Sequence, residues 1–297
     1  FNTRLEGNYS GLGIQIYEED GKIIIYSVFE DSPAFKAGLK AGDVITEINE
    51  KSTKDLKSSD VTEEVKKSGD KTITLTYLRD NKEKTVKLKV ANVDLPSVGS
   101  KTFNKADKKI GYIGMNIFAN NSYEQFKSHL EELEKQNINS LIIDLRANSG
   151  GYLLTAENII SLFLDSNHVI YQIEKDKNVT KYYSKGKENK NYKIVVLVDS
   201  NSASASEIVA SALKEQYGAT IVGTKTYGKG TVQELQNLKS GDKYKITTKN
   251  WLTSKGTWIN GKGIEPDEKI DLDETYYKEP TEENDNQLQK ALEIATK

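Results

Sequence analysis

Two short runs in this chain of 297 residues combine residue types and spacing that suit chemistry. The first is Asn201-Ser-Ala-Ser-Ala-Ser-Glu207, a serine-rich turn opening an apolar helix. The second is Gly228-Lys-Gly-Thr-Val-Gln233, a lysine held between two glycines. A serine at a helix N-terminus is well placed for nucleophilic attack, because the helix dipole and free amides stabilise developing negative charge. Ser202, Ser204 and Ser206 can also serve as helix caps, but three serines alternating with alanine exceed what capping needs. A serine nucleophile needs a base. The chain has only two histidines. His129 lies on a helix beside its apolar face, and His168 lies in a loop. A Ser-His-Asp triad fits them poorly, although two histidines leave it open. Lysine is the remaining base. An exposed lysine titrates at about 10.4, but burial in a dry pocket lowers that value by several units. Lys229 follows the apolar strand Ala219-Thr-Ile-Val-Gly223, a placement that could carry its amine into such a pocket.

The lysine stretch also supports a rival. Gly223-Thr-Lys-Thr-Tyr-Gly-Lys229 fits most of the Gly-x-x-x-x-Gly-Lys-Ser/Thr phosphate loop. Gly230 stands where a magnesium-binding hydroxyl is required, Thr231 comes one position late, and no long helix clearly follows. Nucleotide hydrolysis is therefore the weaker reading. Upstream lies another turn. Ser140-Leu-Ile-Ile-Asp-Leu145 reads as a buried strand, Arg146-Ala-Asn-Ser-Gly-Gly151 follows it, and a helix runs on through Glu157 to Leu164. A strand, a glycine turn and a helix N-terminus bring free backbone donors to one point, where they can hold a phosphate or an oxyanion. A double glycine alone is also an ordinary tight turn.

The elements around these runs alternate between strand and helix. Lys109 to Phe118 reads as a strand. Asn121-Ser122 caps a helix to about Gln136, with Tyr123, Phe126, Leu130 and Leu133 on its apolar face. Val169 to Ile173 and Lys193 to Val198 read as strands, Ala205 to about Tyr217 as a helix stopped by Gly218, and Asn286 to Ala295 as a final amphipathic helix. Residues 174–191 are charged and read as a solvated hairpin tip without chemistry. The balance of 42 basic and 44 acidic residues, net charge −2, is interspersed and offers nothing to nucleic acid. Hydrophobic residues at 36% and charged residues at 29% suit a solvated protein with small cores. No apolar run approaches the roughly 18 residues that span a membrane. The absence of cysteine excludes disulfides, thiolate catalysis and cysteine-zinc sites in this chain.

The first ninety residues have a signature of their own. Ser32-Pro-Ala-Phe-Lys-Ala-Gly-Leu-Lys-Ala-Gly-Asp-Val-Ile-Thr-Glu-Ile-Asn49 starts with a helix cap, Ser32, and a first-turn proline, Pro33. Strands read at Lys22–Val28, Asp43–Asn49, Thr72–Leu78 and Thr85–Val90, and a helix at Ser58–Val65 with Val61 and Val65 on one face. Residues 9–91 resemble a PDZ domain. The resemblance implies that Gly11, Leu12, Gly13 and Ile14 form the loop that receives a peptide's terminal carboxylate, glycines letting successive amides converge on it. The peptide would add as a strand beside residues 13–17, facing Val61 and Val65 of the helix. One departure stands out: Lys66-Lys-Ser-Gly-Asp70 replaces the Arg-Gly turn common in such bacterial protease domains, which puts arginine-dependent coupling in doubt.

Residues 109–272 resemble the carboxyl-terminal processing proteases, the S41 tail-specific family of Ser-Lys peptidases. The matching runs are Asp144-Leu-Arg-Ala-Asn-Ser-Gly-Gly151, Asn201 to Ile208, Gly223 to Gln233, and Ile259-Asn-Gly-Lys-Gly-Ile-Glu-Pro-Asp267. The resemblance implies Ser204 as nucleophile, Lys229 as base, Gln233 to hold the lysine amine, and the amides of Ala205 and Gly150, or Gly151 in its place, as oxyanion donors. Ala147 and Ser149 stand where the family has a bulkier polar residue and often proline. The implied fold is mixed α/β: a PDZ domain plus a ClpP/crotonase-like α/β serine protease core. The expected boundaries are a lead at 1–8, the PDZ domain at 9–93, a linker at 94–108, the core at 109–275 and a C-terminal helical segment at 276–297. The implied activity is cleavage of proteins near their C-termini, without metal or cofactor, the PDZ domain binding the substrate tail. The partners are protein or peptide tails and no nucleic acid, with homo-oligomers formed through segments this chain does not carry. An extracytoplasmic bacterial location, secreted, periplasmic or membrane-anchored, is also implied. The alternative is a PDZ scaffold that binds tails without cutting them.

Overall fold

The computed structural model describes residues 2–237 and 243–297, in which contacts separate two units, Phe1–Pro96 and Ser97–Lys297. The first contains α1 (Asn2–Glu6), β1 (Asn8–Gly11), β2 (Ile14–Glu19), β3 (Lys22–Val28), α2 (Pro33–Lys36), β4 (Val44–Ile48), β5 (Lys51–Ser52), α3 (Ser58–Ser68), β6 (Thr72–Arg79), β7 (Lys82–Lys89) and β8 (Ala91–Asp94). The main sheet has the order β2-β3-β4-β6-β7, and β1 pairs antiparallel with β8 as a separate ribbon. Alternation along the strands sends Ile23, Ile25, Ile45, Ile48, Ile73 and Leu75 into one core. Ser32 caps α2 by accepting the Phe35 amide at 3.1 Å. Asp43, only 1% exposed, accepts the Lys40 amide at 2.8 Å and two guanidinium bonds from Arg79 at 2.6 Å each. The signature aspartate is thus a buried, fully partnered anchor.

The second unit is built on a largely parallel sheet. Its elements are β9 (Val98–Lys105), β10 (Lys108–Met115), α4 (Ser122–Lys135), β11 (Ser140–Asp144), α5 (Leu153–Ile160), β12 (Val169–Lys175), β13 (Asn178–Tyr183), β14 (Lys193–Val198), α6 (Ala205–Ala212), β15 (Thr220–Gly223), β16 (Thr231–Asn237), β17 (Lys243–Leu252), β18 (Glu268–Lys269), α7 (Glu274–Lys278) and α8 (Asn286–Ala295). Strand order is β18-β15-β14-β11-β10-β9, parallel throughout except for β9. A second sheet, β13-β12-β17-β16, is antiparallel. Ile143, Val196 and Val198 bury one face of the main sheet together with Phe126, Ile159 and Val209 of α4, α5 and α6. Ile142, Val195 and Leu197 bury the other face against Leu288, Ala291 and Leu292 of α8. Both faces are apolar, as a covered parallel sheet requires.

Two expectations change. The stretch expected as a linker, 94–108, instead supplies β9, an edge strand of the core sheet. An edge strand is bonded on one side only, and β9 has a single fully buried side chain, Val98. Its polar composition is what made it read as a connector. The helix expected from Ala205 to Tyr217 is α-helical only to Ala212, and Leu213–Tyr217 closes it as a π turn ending at Gly218, φ 86°.

A buried polar cluster ties α8 to the sheet. Arg146 donates to Asp144 Oδ2 at 2.6 Å, to Asp285 Oδ2 at 2.8 Å and to Gln287 Oε1 at 3.0 Å. Asp144 also accepts the Tyr112 hydroxyl at 2.8 Å, and Asp285 caps α8 through the Leu288 amide at 2.9 Å. Removing Arg146 leaves two buried carboxylates facing each other, so Arg146→Ala is expected to lose about 3–5 kcal/mol of stability. Urea unfolding measures the loss, and hydrogen exchange should show α8 losing protection before the sheet does.

Candidate active site

The serine turn and the glycine turn sit at the ends of neighbouring parallel strands. β11 pairs with β14 so that Asp144 lies opposite Leu197, and the chain leaves both strands at the same edge. Parallel α/β sheets present ligand sites at this end. The three alternating serines have different duties. Ser202 donates its hydroxyl to the Leu145 carbonyl at 2.8 Å, and Ser206 donates to the Asn148 carbonyl at 2.7 Å; both are fully buried. They bolt the serine turn to the glycine turn. Ser204 makes neither contact and is only half-buried.

Ser204 is the residue just before α6, and its backbone stands at φ 55°, ψ −113°. Only glycine adopts that region without strain. Such a turn presents a side chain away from the helix it opens, the geometry of a nucleophile elbow. Gly150 lies against it. A Cβ on Gly150 would come within 2.7 Å of the Ala203 carbonyl, 2.9 Å of Ser204 Cβ and 3.0 Å of the Ala205 amide, and φ is 99°. The close approach demands glycine. The Gly150 amide, however, donates to Asn148 Oδ1 at 2.9 Å. In this structure it is held within its own turn. Gly151 forms a parallel bridge with Phe118 in which the Phe118 amide bonds the Gly150 carbonyl and the Tyr152 amide bonds Phe118. That pattern leaves the Gly151 amide outside the bridge. Ala147, at φ 56°, occupies a left-handed position that asparagine would hold more easily.

One carboxylate joins the serine to the lysine loop. Glu207, fully buried, accepts the Ser204 amide at 2.9 Å, the Gly228 amide at 2.6 Å, the Lys229 amide at 2.9 Å and the Thr226 hydroxyl at 2.6 Å. Both tryptophans of the chain brace the same loop: Trp251 Nε1 donates to the Lys229 carbonyl and Trp258 Nε1 to the Gly230 carbonyl at 3.0 Å. Lys229 is half-buried. The loop leads into strand β16 rather than a helix, so the phosphate-loop reading fails for lack of the helix N-terminus that would hold a phosphate. Gln233 lies four residues on, in β16, exposed and next to a bulge. Glu207 is the residue of this candidate site that sequence reasoning passed over: at the third helical position it reads as half of a capping box.

The histidines are engaged elsewhere. His129 Nδ1 bonds Ser100 Oγ at 2.8 Å, and His168 Nδ1 bonds Asp165 at 3.0 Å.

In the first unit a groove of about 790 Å³ runs between β2 and α3, lined by Ile14, Ile16 and Tyr17 on one side and Ser58, Thr62 and Lys66 on the other. Val61 is 2% exposed and lies in the core, with Val65 packed against it. The helix thus packs its valines against the core and lines the groove with Ser58, Thr62 and Lys66. Leu12 and Gly13 direct their carbonyls inward, to the amides of Ala34 and Phe29, each at 2.9 Å.

A family model, "Peptidase family S41", matches residues 109–270, and "PDZ domain" matches residues 10–90. The chain is 38% identical over 269 residues to the carboxy-terminal processing protease CtpB of Bacillus subtilis, covering 90% of this chain and 56% of that protein. It is 35% identical over 274 residues to a probable CtpA-like serine protease of Staphylococcus aureus, covering 91% and 54%. The chain thus spans just over half the length of these relatives. The solved photosystem II D1 C-terminal processing protease is similar at 26% identity and TM-score 0.57, over 89% of this chain and 73% of that one. The tricorn protease, at 16% identity and TM-score 0.58 over 96% of this chain and 29% of that one, shares the fold.

The strained turn gives a test of its own. Ser204→Gly removes a backbone strain that Ser204→Ala keeps, so the glycine variant should be the more stable by about 1 kcal/mol after the glycine's larger unfolded-state entropy is deducted. Calorimetry of the two variants reads the difference as a melting point higher by about 2–4 °C.

Proposed function

The chain belongs to peptidase family S41 and carries a PDZ domain, and from that premise we propose that it is a serine endopeptidase that cleaves proteins near their C-termini through a Ser204–Lys229 dyad. The neutral Lys229 amine takes the proton of Ser204 Oγ as that oxygen attacks the peptide carbonyl. The Ala205 amide and the Gly150 amide, or that of Gly151 in its place, hold the oxyanion. The protonated lysine returns its proton to the leaving amine, and water, activated by the same lysine, releases the acyl group from Ser204. Gln233 orients the lysine amine. The groove between β2 and α3 takes the substrate's terminal residues as an added strand, which delivers the tail and opens the enzyme to it.

The observation that carries this reading is the Glu207 bridge. A single buried carboxylate fixes the amide of the serine and the amide of the lysine at once, which supports a shared role for the two residues.

The test is mass-spectrometric detection of cleavage of peptides ending in apolar residues with a free carboxylate. Ser204→Ala and Lys229→Ala should each lose at least about a thousandfold in rate. Cleavage surviving in either variant overturns the dyad, and tail binding without cleavage by the parent points to a scaffold. Glu207→Gln keeps the size of the side chain but replaces one acceptor oxygen by a donor. It should lower kcat by at least about tenfold with KM little changed, because the reacting geometry is loosened and the tail groove is untouched.

A further inference from the structure

The strand that borders the groove, β2, has two different faces. Ile14 and Ile16 are half-buried and pack against the core of the unit, while Gln15, Tyr17 and Glu19 alternate with them and are exposed. Glu18 accepts the Ser58 amide and so ties the start of α3 to the strand. Gln15 accepts the Ser27 hydroxyl at 2.8 Å. Tyr17 is 40% exposed, and Tyr26 on the neighbouring strand β3 is 69% exposed. Their rings meet edge to face, centroids 6.4 Å apart and planes at 86°. Both residues line the groove and neither belongs to the apolar core, so much of their apolar area is left uncovered. Beyond them on the same face stands Glu19. Lys22 lies opposite it in the ladder without pairing its charge, and among the described residues no other cation does so.

An added strand would meet this face in a fixed register. A tail whose carboxylate sits at the Gly11–Ile14 loop runs antiparallel to β2, with its last residue level with Ile14. Residues level with one another in paired antiparallel strands share a face. The last residue and the second before it therefore turn to α3 with Ile14 and Ile16. The third before it stands beside Tyr17 on the outer face. Glu19 is diagonal to that position, a separation of about 7–8 Å that a long side chain spans. An aromatic face with a carboxylate one step along the strand suits a guanidinium, which is planar, stacks on rings and pairs with carboxylates. An acidic side chain there would instead face Glu19 and gain nothing from the electron-rich ring. We propose that Tyr17, braced by Tyr26, and Glu19 form a second reading point for the tail, selecting substrates with an arginine three residues before the C-terminal one. The inference rests on the tail-binding reading of this unit. Its consequence is selectivity: a free carboxylate is common to all proteins, whereas a basic side chain at a fixed distance from it is not.

Binding is measured on the whole chain carrying Ser204→Ala, so that the probe survives. The probes are short fluorescein-labelled peptides ending in valine with a free carboxylate. They differ in the third residue before the last, which is arginine, alanine or glutamate. One control moves the arginine a single place toward the end, where it faces α3, and another amidates the terminus of the arginine peptide. Fluorescence polarisation should show the arginine peptide bound about fivefold more tightly than the alanine peptide, the equivalent of an exposed cation–π contact with an exposed ion pair. The glutamate peptide should bind most weakly, and moving the arginine should abolish the gain. Tyr17→Thr, which keeps a strand-forming residue, and Glu19→Gln should each reduce the arginine-to-alanine ratio to about twofold or less. Matching melting temperatures establish that these exposed substitutions leave the fold intact. Equal binding of the three peptides, where the amidated one binds more weakly, overturns the arginine reading and leaves the tail-binding reading standing. An arginine preference that survives both variants overturns it in the same way. Failure of every free-carboxylate peptide to bind overturns both readings.

Discussion

The geometry of the catalytic half depends on the burial of one charge. Glu207 has no exposure to solvent, and an isolated carboxylate in such a place would be prohibitively unstable. Four short hydrogen bonds offset that cost, three of them from backbone amides. The donors come from two loops that are neighbours only if the sheet has formed, so the carboxylate is satisfied in the native arrangement and nowhere else. The same bonds sustain the strained backbone of Ser204. A residue at φ 55°, ψ −113° relaxes unless its surroundings over-determine it, and its amide is held by the carboxylate of its own helix. Thr226 extends the clamp, since its hydroxyl also accepts the Ile264 amide at 2.7 Å and so draws in the glycine-rich 259–264 turn.

The sheet makes this arrangement possible by moving in one direction. β10, β11, β14, β15 and β18 succeed one another across the sheet in chain order. Right-handed crossovers in a constant direction place their helices on one face, and α4, α5 and α6 do share one apolar cluster. The opposite face is left for α8, which arrives from the end of the chain and is locked by Arg146. That arginine leaves the end of β11 immediately before the glycine turn. Attachment of the C-terminal helix and placement of the glycine turn are thus consequences of the same few residues.

Much of this was legible in the sequence. Serines alternating with alanine, a lysine between glycines and a double glycine after a buried strand each report a local backbone demand, and local demands are what residue types encode. Ser204, Lys229 and the Gly150 turn were singled out that way. What escaped was non-local. Glu207 looks like a cap because the capping bond is real, while its three other donors lie 19 to 22 residues further on. Gly150 carries the expected close approach, but Asn148, two residues away, takes its amide. Val61 and Val65 share a helix face, and only the sheet decides that this face is the core rather than the groove. β9 was hidden because an edge strand can be polar and still be a strand. In the first unit the Ser32–Asn49 signature was a reliable guide for the opposite reason: its cap, proline and buried Asp43 are all satisfied within or close to the run itself.

The proposed lysine base sets a stricter requirement than a histidine would. Its amine rides on four methylenes, whose rotamer freedom is worth about 2 kcal/mol, and only a fixed origin makes that freedom affordable. Here the peptide units around Lys229 are held from both sides. Glu207 takes the amides of Gly228 and Lys229, and two indoles donate to the carbonyls of Lys229 and Gly230. Gly228, at φ 86°, where a Cβ would meet the Gly263 amide at 2.7 Å, and Gly230, where one would meet the Asn260 amide at 2.6 Å, let the 259–263 turn approach. The glycines on either side of the lysine therefore do not confer flexibility. They remove the side chains that would keep the 259–263 turn away, and the loop that looks loosest in the sequence is held from several sides.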